Sequence, residues 1–366
     1  MSLRIPSVLL ALAVVLMTAA CQSGEPHYDL VLDGLNEPRG LTILADGTLC
    51  VAEAGGLADG QTVRQGPTAN RSETGSVTCL DPSGDQRRIA EGFPYVFYNI
   101  SGVTTGPADV AEVDGELFLL TGEGEGDLAR SLLRLTEPGY LPEQVADFLA
   151  FAQETAEADL FDEVTIFSNP FSMLPDPQNS RVLVTDGATG HVLAAGLDGE
   201  IRVFSDVDEH EVLTGIVWGP DDAAYVTSFS QLPHIEGDGS VLRLHGDGSS
   251  TVVAAGLTTP IDLAFDSQGR MYVLEFIDGT ESSDPYRDRT GRLIRLEPDA
   301  GQWTGQQILV DGIPFPTALL INDADQVYIS VHGAFSEPGS GIVARFDDLA
   351  TLAVLELPIR FMDDTQ

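Results

Sequence analysis

Hydrophobic and polar positions along this 366-residue chain follow one pattern that recurs six times. Each copy opens with a short half-apolar segment, crosses a polar turn, and enters a five-residue run dominated by apolar side chains. The six runs are Leu49-Cys50-Val51-Ala52-Glu53, Leu117-Phe118-Leu119-Leu120-Thr121, Val182-Leu183-Val184-Thr185-Asp186, Ala224-Tyr225-Val226-Thr227-Ser228, Met271-Tyr272-Val273-Leu274-Glu275 and Val327-Tyr328-Ile329-Ser330-Val331. A variable loop follows, then a third segment resembling Gly-x-Val-x-Arg-Leu, starting at Gly75, Arg130, Gly190, Gly239, Gly291 and Gly341. Runs this short, bounded by turn pairs such as Asp46-Gly47, Asp114-Gly115 and Asp247-Gly248, predict strands joined in hairpins. An all-strand unit repeated every roughly 40 to 70 residues predicts a propeller with one small sheet per blade. The expected fold is all-β: a six-bladed β-propeller with one helical insertion, forming a single domain over residues 29–366.

Two interruptions break the rhythm. Residues 55–74 read as a long polar loop in the first blade. Residues 141–160 read as a helix, with Val145, Phe148, Leu149 and Ala152 at helical spacing. Residues 27–35 read as a strand with no repeat of its own, assigned to the outer position of the last blade, where it closes the ring and hides both sheet edges.

The first residues belong to a different pattern. Arg4 precedes an apolar run at residues 8–17, and Thr18-Ala19-Ala20 are small residues leading to Cys21. The run is too short to span a bilayer and reads as a signal peptide over residues 1–20. Cys21 resembles a lipobox cysteine, which implies lipidation, a tether over residues 21–28 and an extracytoplasmic, membrane-anchored protein. Secretion after simple cleavage is the alternative.

Composition sharpens the picture. There are 38 glycines and 21 prolines, as many tight turns require, and 57 acids stand against 18 bases, every one of them arginine. A net charge of −39 repels phosphate backbones, which argues against a nucleic-acid partner. An extracytoplasmic protein or a small molecule is the expected partner.

With the repeats aligned, four copies place a second-strand aromatic opposite a third-strand arginine: Phe118 with Arg134, Tyr225 with Arg243, Tyr272 with Arg295 and Tyr328 with Arg345. The third copy has Leu183 and Ala194. The first copy has Cys50 and Cys79 at these positions, which predicts a cross-strand disulfide in an oxidising compartment, with two buried free thiols as the alternative.

An ordered series of short motifs resembles ScyD/ScyE family proteins. It runs through Asn36-Glu37-Pro38-Arg39-Gly40-Leu41, Val51-Ala52-Glu53-Ala54-Gly55, Gly106-Pro107-Ala108-Asp109-Val110, Val145-Ala146-Asp147 and Ser168-Asn169-Pro170-Phe171. It continues with Leu213-Thr214-Gly215, Gly219-Pro220-Asp221, Ile261-Asp262-Leu263-Ala264-Phe265 and Tyr272-Val273-Leu274-Glu275, and covers nearly the whole mature chain. Asp222 stands where the family pattern expects glycine. The resemblance implies a propeller of the broad NHL and gluconolactonase-like type.

Blade order then projects five carboxylates toward one rim: Asp109 and Asp262 from the starts of inner strands, and Glu53, Asp186 and Glu275 from the ends of second strands. Carboxylates held together need a cation or raised pKa values. The expected role is that each caps a neighbouring strand or bonds backbone N–H groups, and the alternative is a Ca²⁺ site resembling in style the metal-centred channel of gluconolactonase-like propellers. Arg39 is a further candidate for the same rim. Other features carry little. Gly122-Glu123-Gly124-Glu125-Gly126 mimics a phosphate loop, but its acids oppose phosphate. Asp206-Val207-Asp208-Glu209 lacks the glycine of a calcium loop. His234 and His332 follow second strands singly, and no nucleophile elbow occurs. Without a recognisable catalytic constellation, the expected function is a non-enzymatic binding or scaffold protein. The alternative is a metal-dependent hydrolase or lactonase using the carboxylate rim.

Overall fold

The computed structural model describes residues 28–57, 63–155, 168–208, 211–230, 234–279, 290–347, 349 and 359–361. The signal segment, Cys21 and all but the last residue of the tether lie outside them. No described helix is long and apolar enough to cross a membrane.

Six antiparallel sheets form among the described residues, and each is one blade. Blade 1 comprises the inner strand Pro38–Ile43, second strand Leu49–Glu53, third strand Ala69–Leu80 and outer strand Gln86–Tyr98. Blade 2 follows with Pro107–Val113, Glu116–Thr121, Ser131–Thr136 and Leu141–Asp147. Blade 3 has Pro170–Asp176, Arg181–Asp186, His191–Gly196 and Ile201–Asp206. Blade 4 has Val212–Trp218, Ala224–Phe229, Gly239–Leu244 and Ser250–Leu257. Blade 5 has Pro260–Phe265, Met271–Glu275, Gly291–Asp299 and Gln302–Ile313. Blade 6 takes Ala318–Ile321, Val327–Val331 and Gly341–Phe346 from the C-terminal part of the chain and Asp29–Leu35 from the N-terminal part as its outer strand. Each inner strand packs on that of the next blade, and blade 6 on blade 1, so the ring is closed.

The apolar five-residue runs are the second strands. Those of blades 1, 5 and 6 are buried at every position, because neighbouring blades cover both faces and alternation has no solvent side to serve. The core is correspondingly divided. Six apolar clusters lie one in each gap between blades, from the wedge around Cys50 and Leu119 between blades 1 and 2 to that around Leu32 and Tyr328 between blades 6 and 1. A wholly buried Tyr272 or Phe118 contributes about 1.5–3 kcal/mol by leaving water.

The aligned cross-strand pairs all occur: Phe118 faces Arg134, Leu183 faces Ala194, Tyr225 faces Arg243, Tyr272 faces Arg295 and Tyr328 faces Arg345. Cys50 faces Cys79 and is joined to it by a disulfide, with Cα atoms 4.1 Å apart.

Two expectations need correction. Residues 141–147 form the outer strand of blade 2, and the helix runs only over Phe148–Thr155. Asp147 caps it by accepting a hydrogen bond from Ala150 N at 2.9 Å. The apparent helical spacing arose where the strand's inward residues meet the helix's buried Phe148. Residues 55–74 are not all loop. The third strand of blade 1 begins at Ala69, and Arg64–Gln65 pairs back onto it. Near the C-terminus, Ile359–Arg360 lies parallel beside the outer strand of blade 5.

Candidate functional site

Four inner strands begin on proline, at Pro38, Pro107, Pro170 and Pro260, a position where the missing N–H disturbs no ladder. The residue two further on, and its counterparts in blades 4 and 6, faces the central channel. Around the ring these residues are Gly40, Asp109, Ser172, Gly215, Asp262 and Ala318, and all six line one cavity of about 150 Å³. The order Gly-Asp-Ser, then Gly-Asp-Ala, repeats over half the ring. The two aspartates therefore stand three blades apart.

Each aspartate ties three blades together. Asp109 leans over Gly40, where a Cβ would lie 2.8 Å from the Asp109 Cα, and Asp262 leans in the same way over Gly215, at 2.7 Å. On the other side, Met173 N and Ser172 Oγ donate to Asp109 Oδ2 at 2.8 and 3.0 Å. Leu319 N donates to Asp262 Oδ2 at 2.7 Å. Each remaining oxygen accepts the N–H of the next residue in its own strand. Burial pushes the Asp109 carboxyl up to about 6 against the pull of these bonds. Burial pushes Asp262 further, to about 8, with the charge of Asp109 adding to it. Two differences separate them: blade 3 offers Asp109 a serine hydroxyl where blade 6 has Ala318 at the matching place, and the charge of Asp109 raises Asp262 further.

Glu53, Asp186 and Glu275 are not in this cavity. Each is a clamp within its own blade, capping the segment that enters the inner strand. Glu53 accepts hydrogen bonds from Asn36 N at 2.7 Å, from Ser76 and Thr78 hydroxyls, and from Arg88. Asp186 accepts from Ser168 Oγ at 2.6 Å and from Asn169 and Ala188 N–H. Glu275 accepts from Thr258 N at 2.6 Å and pairs with Arg292 at 2.5 Å, and burial nevertheless raises its pKa. So the five projected carboxylates do not converge. Only Asp109 and Asp262 share a space, and their oxygens are occupied by N–H donors. Among the described residues no three His, Cys, Asp or Glu side chains gather as metal donors. Among the described residues these two carboxylates fall short of the six to eight oxygens that Ca²⁺ takes.

Above this cavity, where the inner strands begin, lies a second chamber of about 200 Å³, sharing Ala108, Phe171 and Thr317 with the first. Its wall is largely apolar, with Phe171, Phe229, Phe276, Phe335 and Ile261, and among the described residues Arg39 is the one charged residue that lines it. Phe276 packs against Phe229 and Phe335 with centroids 6.2 and 6.4 Å apart, and Phe335 in turn against Phe315 at 5.2 Å. Arg39 Nη2 donates to Thr104 Oγ1 at 2.9 Å and to Thr104 O at 3.2 Å, and lies 3.6 Å from buried Glu37. Its Nε and Nη1 make no hydrogen bond with the described residues. Burial lowers the Arg39 pKa and raises that of Glu37, each partly offset by the other's charge. Phe335 in the wall and Glu37, Phe315 and His332 all have positive φ, from 38° to 59°, a conformation that persists only where the surroundings enforce it. The phenylalanine collar is a feature that sequence reasoning missed. Its signal was present in Phe229 and Phe276, aromatics placed directly after the five-residue apolar runs.

No protein-family model matches this chain, and no curated protein matches it. Solved structures do resemble it. A putative oxidoreductase (glucose dehydrogenase) from Thermus thermophilus aligns at TM-score 0.60 and 15% identity, over 88% of this chain and 99% of that one. The PQQ-bound aldose sugar dehydrogenase of Streptomyces coelicolor aligns at TM-score 0.55 and 14% identity, over 87% and 96%. An inactive virginiamycin B lyase from Staphylococcus aureus, solved with quinupristin, aligns at TM-score 0.47 and 10% identity, over 87% and 98%. The first two likenesses show the propeller fold alone, and at these identities they carry no activity across.

Proposed function

We propose that this chain, whose motifs resemble ScyD/ScyE family propellers, is a non-enzymatic binding protein whose ligand enters the upper chamber of the channel. The ligand class is a small molecule with an aromatic or apolar body and one carboxylate. The observation that carries this reading is Arg39, a largely desolvated guanidinium whose Nε and Nη1 make no hydrogen bond among the described residues, inside a largely apolar chamber. A guanidinium fork matches a carboxylate in two parallel bonds, and a phenylalanine collar suits a flat apolar body. A thermal-shift screen of small aryl carboxylates against their neutral amides tests it. Stabilisation by the acids and little by the amides is the expected outcome, and equal effects would overturn it.

One observation favours an enzyme instead. Asp109 and Asp262 face one cavity with pKa values of about 6 and 8, and such a split pair is the usual arrangement of an acid and a base. Lactone hydrolysis that disappears in Asp262→Asn would establish that reading, and its absence leaves binding as the function.

We also propose export and anchoring through Cys21. The Cys50–Cys79 disulfide agrees with an oxidising compartment. The protein should fractionate with membranes, and Cys21→Ala should release it; an unchanged membrane fraction would contradict the anchor.

A further inference from the structure

On the face of the ring opposite the aromatic mouth, the turns between inner and second strands of blades 3 and 4 flank an open groove of about 880 Å³, within the size range of ligand sites. The residue that gives it character is Trp218, last in the inner strand of blade 4 and 40% exposed. Its indole is held in place: Nε1 donates to Pro175 O of blade 3 at 2.9 Å. The ring therefore presents a fixed apolar face to solvent.

Planar polar groups stand on both sides of that face. From blade 3 come Asn179 and Arg181, both bonded to Asp176, with Arg181 also lying 5.1 Å over the Phe204 ring. From blade 4 comes Arg243, bonded to Asp221 at 2.8 Å and to His245 Nδ1 at 2.8 Å. Two further lining groups, the Gln178 amide and the Asp222 carboxylate, make no side-chain bond among the described residues and are exposed.

Asp222 is unusual in its backbone as well. It has φ 59°, in the turn position that blades 1, 2 and 5 fill with Gly47, Gly115 and Gly269 at φ 88°, 80° and 73°. In blade 6 the matching residue, Asp325, uses its carboxylate to bind Ser267 of blade 5. Asp222 has no such structural employment. A side chain held in the left-handed region where glycine would be relaxed, and pointed at a groove, suits a residue kept for its carboxylate.

We infer that this groove binds a neutral saccharide chain. A pyranose ring has one apolar C–H face and a rim of hydroxyls that both donate and accept. Indole covers the first, and carboxylate, amide and guanidinium groups pair with vicinal hydroxyls two at a time. The net charge of −39 selects against anionic glycans. The site is separate from the channel mouth, so either can fail without the other.

The full-length protein carrying Trp303→Phe leaves Trp218 as the only tryptophan. Its fluorescence is titrated with neutral linear gluco-, manno-, galacto- and xylo-oligosaccharides. At least one series should give a saturable blue shift whose affinity rises with chain length. In the parent background, Trp218→Ala should abolish binding by calorimetry. Asp222→Gly should weaken it by at least roughly tenfold while leaving the melting temperature unchanged or raised. The last comparison guards against misfolding, because glycine relieves the turn. No saturable shift with any series would overturn the inference, as would binding that survives Trp218→Ala.

Discussion

At the residue scale, Asp109 and Asp262 form a natural experiment, since they occupy equivalent places with equivalent glycines beneath them and differ by one hydroxyl donor. If that donor sets their different acidities, it should be transferable. Ser172→Ala should raise the Asp109 pKa above its value of about 6, and Ala318→Ser should lower that of Asp262 from about 8. Each shift should be of order one unit. Carboxyl ¹³C titration by NMR reads both, and unmoved values would refute the assignment. The sign of the stability effect follows. Both carboxyls hold a proton in the folded state at pH values where the unfolded chain, near 3.8, has released it. The fold therefore loses stability as pH rises from about 4 toward 8. The Ala318→Ser variant should narrow that loss, and thermal melts from pH 5 to 8.5 would show it.

At the element scale, the second and third strands were legible in the sequence because burial on both faces leaves almost no choice of residue. That made the register readable as well, down to Cys50 opposite Cys79. Replacing the aromatic–arginine pair of other blades by a disulfide cross-links strands 29 residues apart in sequence. Its loss in the double variant Cys50→Ala, Cys79→Ala should cost about 2–4 kcal/mol, seen as a lower melting temperature that reductant does not lower further. Equal melting of parent and variant would leave the bond without a stabilising role. Outer strands were harder to read. Residues 141–147 are mostly exposed, so their identity rests on a partner strand rather than on a periodic pattern, and a helical spacing could be drawn through them. The channel site was half legible. The inner-strand aspartates were found from their repeat position. Glu53, Asp186 and Glu275 were grouped with them because blade order gives the end of the strand they sit on. It does not give the direction of the side chain, and theirs turn into loop backbone.

At the scale of the whole molecule, closure by Asp29–Leu35 against Gly341–Phe346 brings residues some 300 apart in sequence into one blade, where Arg345 pairs with Asp29 at 2.5 Å. That closed ring creates the channel, and the channel sets the largely shielded Arg39 within an acidic shell. At physiological salt the shell's field decays over about 8 Å, so the local cation governs an anion that has entered the mouth. The most direct test is calorimetric titration of the full-length protein with an aryl carboxylate such as 3-phenylpropanoate, beside its carboxamide and beside the Arg39→Gln variant. The account predicts one saturable site per chain, weakened roughly tenfold or more both by the amide and by the variant. Binding that is indifferent to the ligand's charge and to Arg39, or no binding of any aryl carboxylate, would contradict it.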